Sequence, residues 1–158
     1  LGANTSATKA FETKDAILNG ASEIDMVLNI GALIEGNLEL VKNDIKAVHE
    51  AANGTLVKVI FETCLLTDQQ IITACNICKE VGVEFVKTPT GFNKSGATFE
   101  GVKLMSDTVN GVCKVKAAGG VRSYADAIKM IEECGASRLG TSSGVAIMEG
   151  QEVSKGQY

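Results

Sequence analysis

The sequence predicts an α/β protein built on a parallel sheet, and three observations carry that expectation. Short apolar runs alternate with amphipathic helical patterns along the whole chain. The apolar runs are nearly continuous, as suits strands covered on both faces. Their repeat is about 25–33 residues, the length of a strand–helix unit, and Lys58, Lys87 and Lys116 recur at equal intervals of 29 residues.

Taken in order, the first element is a helical pattern, ATKAFETKDAILNG (7–20), with Ala10, Phe11, Ile17 and Leu18 along one side and Gly20 as its stop. EIDMVLNIG (23–31) follows as a strand. LELVKNDIKAVHEAANG (38–54) is a second helix, its apolar side Leu40, Val41, Ile45 and Val48 and its stop Gly54. TLVKVIFET (55–63) is the next strand. A helix over 67–82 starts at Thr67 or Asp68 as N-cap and ends on Gly82. VEFVKTPT (83–90), a helix over 98–111, VCKVKAAG (112–119), a helix over 123–135 and SRLGTSS (137–143) complete the series. Right-handed crossovers between parallel strands generate such an order. Both a doubly wound sheet and a (β/α)8 barrel fit the pattern. The absence of a G-x-G-x-x-G loop after any strand weakens the dinucleotide-binding form of the former.

At 158 residues the chain is long enough for one domain with a substantial core. A net charge of −4 without a basic block gives no footprint for nucleic acid or for an anionic membrane. No apolar run approaches the roughly 18–20 residues of a membrane span. The five cysteines are odd in number and lie in or beside apolar segments, so reduced thiols and a cytoplasmic location are expected. Cys75 and Cys78 form a C-x-x-C inside a helical pattern, with no second pair and a single histidine, His49; buried helix thiols explain them better than a metal.

Four consecutive strands each carry a charge within an apolar stretch: Asp25, Lys58, Lys87 and Lys116. A buried ion-pair layer would employ Asp25 and one lysine and leave two lysines unexplained, since buried pairs contribute little to stability. Two adjacent amines do have a chemical use. Each disfavours protonation of the other, burial adds to the effect, and a neutral lysine attacks carbonyls to give a Schiff base. The imine is an electron sink for making or breaking a neighbouring carbon–carbon bond, so the pattern suggests a lyase that needs neither metal nor cofactor. The turns AAGGVRS (117–123) and GTSSG (140–144) follow the last two strands, where barrels often bind phosphate.

The stretches LGANTS, EIDMVLNIGAL, KVIFETCLLTD, FVKTPTGF, GATFEGVKLM, KAAGGVRS and RLGTSSGVAI together resemble the deoxyribose-phosphate aldolase family. These class I aldolases cleave 2-deoxy-D-ribose 5-phosphate to glyceraldehyde 3-phosphate and acetaldehyde. The resemblance implies a (β/α)8 TIM barrel, of which this chain covers about the last five β/α units as one N-terminally incomplete domain, residues 1–158. It implies that Lys87 forms the Schiff base, that Lys116 lowers its pKa and joins in proton transfer, and that Asp25 also transfers protons. Lys58 helps to organise this relay. Phosphate contacts would come from Gly91, Gly119, Gly120, Val121, Arg122, Gly140, Ser142 and Ser143, and the terminal Tyr158 is a candidate to reach the site. The substrate is a small phosphosugar and the assembly a homo-oligomer, dimer or tetramer. Pro89 departs from the family, many of whose members have serine there; proline removes one backbone donor. Two other readings fit the residues: a transaldolase-like Schiff-base barrel, and a truncated, inactive chain that persists as an oligomeric or binding remnant.

Overall fold

The computed structural model describes residues 1–93 and 95–151. Five parallel strands, β1 (Glu23–Val27), β2 (Leu56–Ile60), β3 (Phe85–Lys87), β4 (Lys114–Ala118) and β5 (Arg138–Gly140), lie side by side in chain order. Every crossover therefore steps the same way across the sheet, whereas a doubly wound sheet must reverse at a switch point. One row of Cα partners runs Val27, Ile60, Lys87, Lys116, Arg138. The sheet curls far enough for Arg138 on β5 to bond Glu23 on β1, its first strand. This is the arc of a (β/α) barrel.

Helices α1 (Ser6–Leu18), α2 (Ile30–Ile34), α3 (Leu38–Ala52), α4 (Asp68–Val81), α5 (Phe99–Val109), α6 (Tyr124–Glu132) and α7 (Gly144–Met148) fill the connections, with a 3-10 turn at Thr63–Leu65. Local chemistry sets their ends. Thr67 and Gln70 form a reciprocal capping box on α4, and Gly82 closes that helix in the left-handed region at φ 89°. Asn37, Thr98 and Ser123 cap α3, α5 and α6 through their side chains. The short helix α2 begins inside the run 23–31 expected as strand, which ends at Val27 because the Asn29 side chain caps a helical turn, and α7 starts at Gly144, the last residue of the GTSSG turn. Among the described residues no helix is long and apolar enough to cross a membrane.

Alternation along the strands divides the sheet into two faces. Ile24, Met26, Val57, Val59, Phe61, Val86, Val115 and Ala117 pack with the helices into one core. Glu23, Asp25, Lys58, Lys87 and Lys116 fall on the other face, so the helices cover one face and not the two that the nearly continuous apolar runs suggested. Ile60 and Phe85 are buried on that charged side, apart from the main core.

The expected apolar side of α1 is not the packed one. Phe11 is 71% and Leu18 86% exposed, while Lys9 and Thr13 are buried and Ala16 and Ile17 rest against the core. At about 100° per residue, positions 9, 13 and 16 share a side, and positions 11 and 18 lie opposite. The polar side that faces inward is satisfied there: the Lys9 ammonium meets Asp44 Oδ2 at 2.5 Å and the Val27 carbonyl at 3.0 Å, and Ser6 donates to Asp44 Oδ1 at 2.8 Å. On α3, Val41, Ile45 and Val48 are fully buried and Leu40 is largely exposed.

Candidate active site

The concave face carries a chain of alternating charge. Asp25 and Lys58 are Cα partners on β1 and β2, and Lys87 and Lys116 are partners on β3 and β4, two residues further along the strands. Asp25 accepts from both Lys58 (2.9 Å) and Lys87 (2.6 Å), one on each carboxylate oxygen. Lys58, only 3% exposed, also meets Glu23 Oε2 at 2.8 Å. Arg138 closes the chain with two bonds to Glu23, at 2.7 and 3.2 Å. Its guanidinium lies 5.0 Å from the Phe85 ring, which floors the site.

Each group answers to these neighbours. Burial pulls the Lys58 ammonium down, but its bonds to Asp25 and Glu23 more than offset that and hold its pKa raised. Burial pushes Asp25 up, yet the bonds from Lys58 and Lys87 prevail and keep it below the usual carboxylate range. Arg138 first, then Lys58, lower Glu23 to about 2. Lys116 differs. Among the described residues it has no carboxylate partner, and burial followed by the charge of Lys87 moves its pKa below the ordinary lysine value.

A cavity of about 310 Å³ opens in front of the two amines, lined by Lys87, Lys116, Thr90, Phe92 and the glycine turns. Backbone contact shapes its rim. A Cβ on Gly96 would lie 2.4 Å from the Gly120 nitrogen, so only glycine lets this segment lie against the Gly119–Gly120 turn. Ala97 then donates to the Ala118 carbonyl at 3.1 Å.

Comparison with known proteins identifies this arrangement. A profile of DeoC/LacD family aldolases matches residues 2–150. The chain belongs to that family. Over all 158 residues it is 61% identical to a deoxyribose-phosphate aldolase of Streptococcus sanguinis and 60% identical to one of Streptococcus pneumoniae, and it spans 71% of each. Among solved structures it resembles the aldolase QR15, with TM-score 0.88 and 41% identity over 94% of the chain. It also resembles a tetrameric deoxyribose phosphate aldolase from Aeropyrum pernix, with TM-score 0.83 and 30% identity over 94% of the chain. The chain spans 67% and 63% of these two solved chains, and 59% of another.

Within this aldolase, Asp25, Lys58, Lys87 and Lys116 come together as one cluster. Of the residues expected at phosphate, Gly91, Gly119, Gly140 and Ser142 line the same cavity as the two amines. The Gly119 N–H is already taken by the Gly140 carbonyl at 2.8 Å, which joins the last two turns, so it is not the open donor that the glycine turn suggested. The Arg122 N–H points to Asp126 at 3.2 Å, the Ser143 N–H meets Thr141 Oγ1 at 3.1 Å, and Val121 is buried. Gly120 adopts φ 78° in the same turn. Tyr158 lies outside the described residues.

Four contributors were not singled out from the sequence. Glu23 and Arg138 are two residues before Asp25 and Gly140, so strand alternation places each on the charged face; that period was the available signal. Thr88 ties the loop after Lys87 to β4, its hydroxyl accepting from the Ala118 N–H at 2.8 Å. Glu62, at the end of β2, holds the far side of that loop through Thr90. Cys64 donates to Glu62 Oε1 at 3.8 Å, whereas Cys75 and Cys78 are buried on α4, where burial raises their thiols, to about 12 for Cys75 and well above the ordinary value for Cys78.

Proposed function

We propose that this site cleaves 2-deoxy-D-ribose 5-phosphate to D-glyceraldehyde 3-phosphate and acetaldehyde through an imine on Lys87. The observation that carries the reading is the pairing of Lys87 with Lys116 before one cavity, Lys87 held by a carboxylate and Lys116, among the described residues, by none. Lys116, whose proton is loosened by burial and by Lys87, accepts the proton that Lys87 must lose to become a nucleophile. The Lys87 amine adds to C1 of the open-chain sugar. Lys116 returns a proton to the carbinolamine hydroxyl, which leaves as water. The C2–C3 bond then breaks as its electrons flow into the iminium, and the C3 hydroxyl proton passes to Asp25, whose other oxygen Lys58 holds in place. Protonation of the enamine at C2 and hydrolysis release acetaldehyde and restore the amine.

The phosphate would rest at the rim formed by Gly91, Gly140 and Ser142. The same reading has the protein work in the cytoplasm as a homo-oligomer, and light scattering on the purified chain measures the latter. Borohydride reduction in the presence of acetaldehyde or the sugar phosphate, read by peptide mass spectrometry, tests the chemistry. The expected result is a reduced adduct on the Lys87 peptide that disappears in Lys87→Leu. An adduct that persists in Lys87→Leu, or that forms on Lys116 alone, overturns the assignment.

A further inference from the structure

Three residues other than glycine have positive φ in the described structure: Asn53, Glu62 and Asn110. The two asparagines are left-handed C-caps of α3 and α5, an ordinary use of that residue. Glu62 is neither. It stands at φ 55° where β2 ends and the 3-10 turn begins, its side chain makes no cap bond there, and the residue is 1% exposed. A carboxylate buried in a strained backbone indicates that the surroundings require it.

Those surroundings are the loop that follows Lys87. Glu62 Oε1 accepts the Thr90 N–H at 3.1 Å, and Oε2 accepts the Thr90 hydroxyl in a short hydrogen bond. The Thr90 hydroxyl in turn accepts the Phe92 N–H at 3.1 Å, which folds the chain tightly around Gly91 at φ 93°. The other end of the loop is fastened independently, by Thr88 to Lys116 and Ala118 of β4. Pro89, without an N–H, lies between the two anchors. Glu62 thus fixes the part of the loop that lines the cavity beyond the amines, and its bonds among the described residues go to Thr90 and Cys64, not to either lysine.

We propose that Glu62 is a positioning residue that sets the affinity for the phosphate end of the substrate by holding the Thr90–Phe92 turn, without acting on the imine chemistry at Lys87. This rests on the aldolase reading above and deepens it. The turn carries Gly91 and lies across the cavity from Gly140 and Ser142. Backbone at Gly91, Gly119 and Gly140 converges there from three separate loops, and at the Gly91 turn one buried carboxylate takes both the N–H and the hydroxyl of Thr90. Losing one charge-assisted bond of this kind is worth roughly tenfold in a binding constant.

The test uses the full chain, with deoxyribose 5-phosphate and with deoxyribose lacking the phosphate. Glu62→Gln and Thr90→Val should each raise KM for the phosphorylated sugar about tenfold, with kcat changed by less than about twofold. The double variant should be no worse than the poorer single one, because both break the same bond. Thr90→Ser, which keeps the hydroxyl, should restore the unsubstituted KM. The acetaldehyde adduct on Lys87 should form in Glu62→Gln at the unsubstituted yield. A lower melting temperature with KM unchanged would reduce Glu62 to a structural brace. Equal losses on both sugars, or a lost adduct, would also overturn the proposal. An unsubstituted chain that forms no adduct would sink the aldolase reading and this assignment together; a normal adduct with KM insensitive to Glu62 would sink this assignment alone. Should Glu62→Gln not fold, Thr90→Val and Thr90→Ser carry the same comparison.

Discussion

Replacing Lys58 with methionine tests whether the concave face is organised by charge or by packing. The substitution removes an ammonium bonded to Glu23 at 2.8 Å and to Asp25 at 2.9 Å. Neither carboxylate is orphaned, because Asp25 keeps Lys87 at 2.6 Å and Glu23 keeps Arg138 at 2.7 Å. The roughly 3–5 kcal/mol lost when a buried charge is stripped of its partner therefore does not apply. Glu23 is open to water and its bond is left out of the reckoning. What remains is one charge-assisted bond to Asp25, itself partly exposed, and after solvent screening its loss costs about 1 kcal/mol. Methionine retains most of the apolar stem, so packing changes little.

The pH dependence of that loss identifies its origin. Lys58 helps to hold both carboxylates below their ordinary range, near 2 for Glu23. Stabilisation from a depressed carboxylate is complete above its unfolded pKa and is lost as pH falls through the folded one. Lys58 is itself raised, so its share is complete below its unfolded pKa and is lost as pH climbs through the folded value. The difference between the two chains should be flat from about pH 5 to about pH 10 and shrink to nothing toward about pH 2. Urea unfolding followed by circular dichroism across that range measures it. A difference independent of pH, or one that widens below about pH 4, would refute the electrostatic account.

Three other outcomes are expected. Lys116, lowered by burial and by Lys87, should be acylated at mildly alkaline pH ahead of Lys42, which its bond to Glu80 raises; peptide mass spectrometry reads both, and Lys87→Met should slow Lys116 by removing the cation that lowers it. Gly96→Ala forces a methyl against the Gly119–Gly120 backbone at 2.4–2.6 Å and should cost about 2–3 kcal/mol in urea unfolding. Lys9→Met leaves Asp44, which is fully buried, with Ser6 alone and should cost about 3–5 kcal/mol, most of it recovered in Lys9→Met/Asp44→Leu.

The features legible in the sequence were those with a short period or a local signature. The alternation of strands with helices, the Thr67 and Gly82 caps and the four charges on consecutive strands all survive in the structure, because each is carried by the residues of its own segment. What escaped depends on distance or on backbone shape. Arg138 and Glu23 are 115 residues apart and meet only because the sheet curls. Glu62 sits in the apolar run VIFET, and its carboxylate acquires a purpose only when a left-handed turn aims it at Thr90, 28 residues on. The α1 helix misled for a third reason: the side that packs holds Lys9, whose partner Asp44 is 35 residues away on α3, and the apolar pattern of one helix carries no sign of it. The glycine turns were correctly placed, but one of their donors, the Gly119 N–H, is spent on joining β4 to β5.

The distribution of partners on the concave face separates three lysines that their spacing along the chain alone leaves equivalent. Among the described residues two carboxylates, Glu23 and Asp25, share this face with five cations, Lys58, Lys87, Lys114, Lys116 and Arg138, so the surface carries an excess of positive charge suited to an anionic sugar phosphate. The carboxylates are placed toward β1, and the deficit therefore falls on β4. Lys58, with two partners, is the amine least able to release a proton. Lys116, with none among the described residues, is the one from which burial and neighbouring cations loosen it. Lys87 stands between them, bonded to Asp25 on one side and registered with Lys116 on the other. A purely structural ion-pair layer would balance its charges, since each unmatched buried cation is a cost with no return in stability. An imbalance graded across three adjacent strands is instead what proton transfer between neighbouring amines requires, and it is why the proposed mechanism puts the imine on the lysine in the middle.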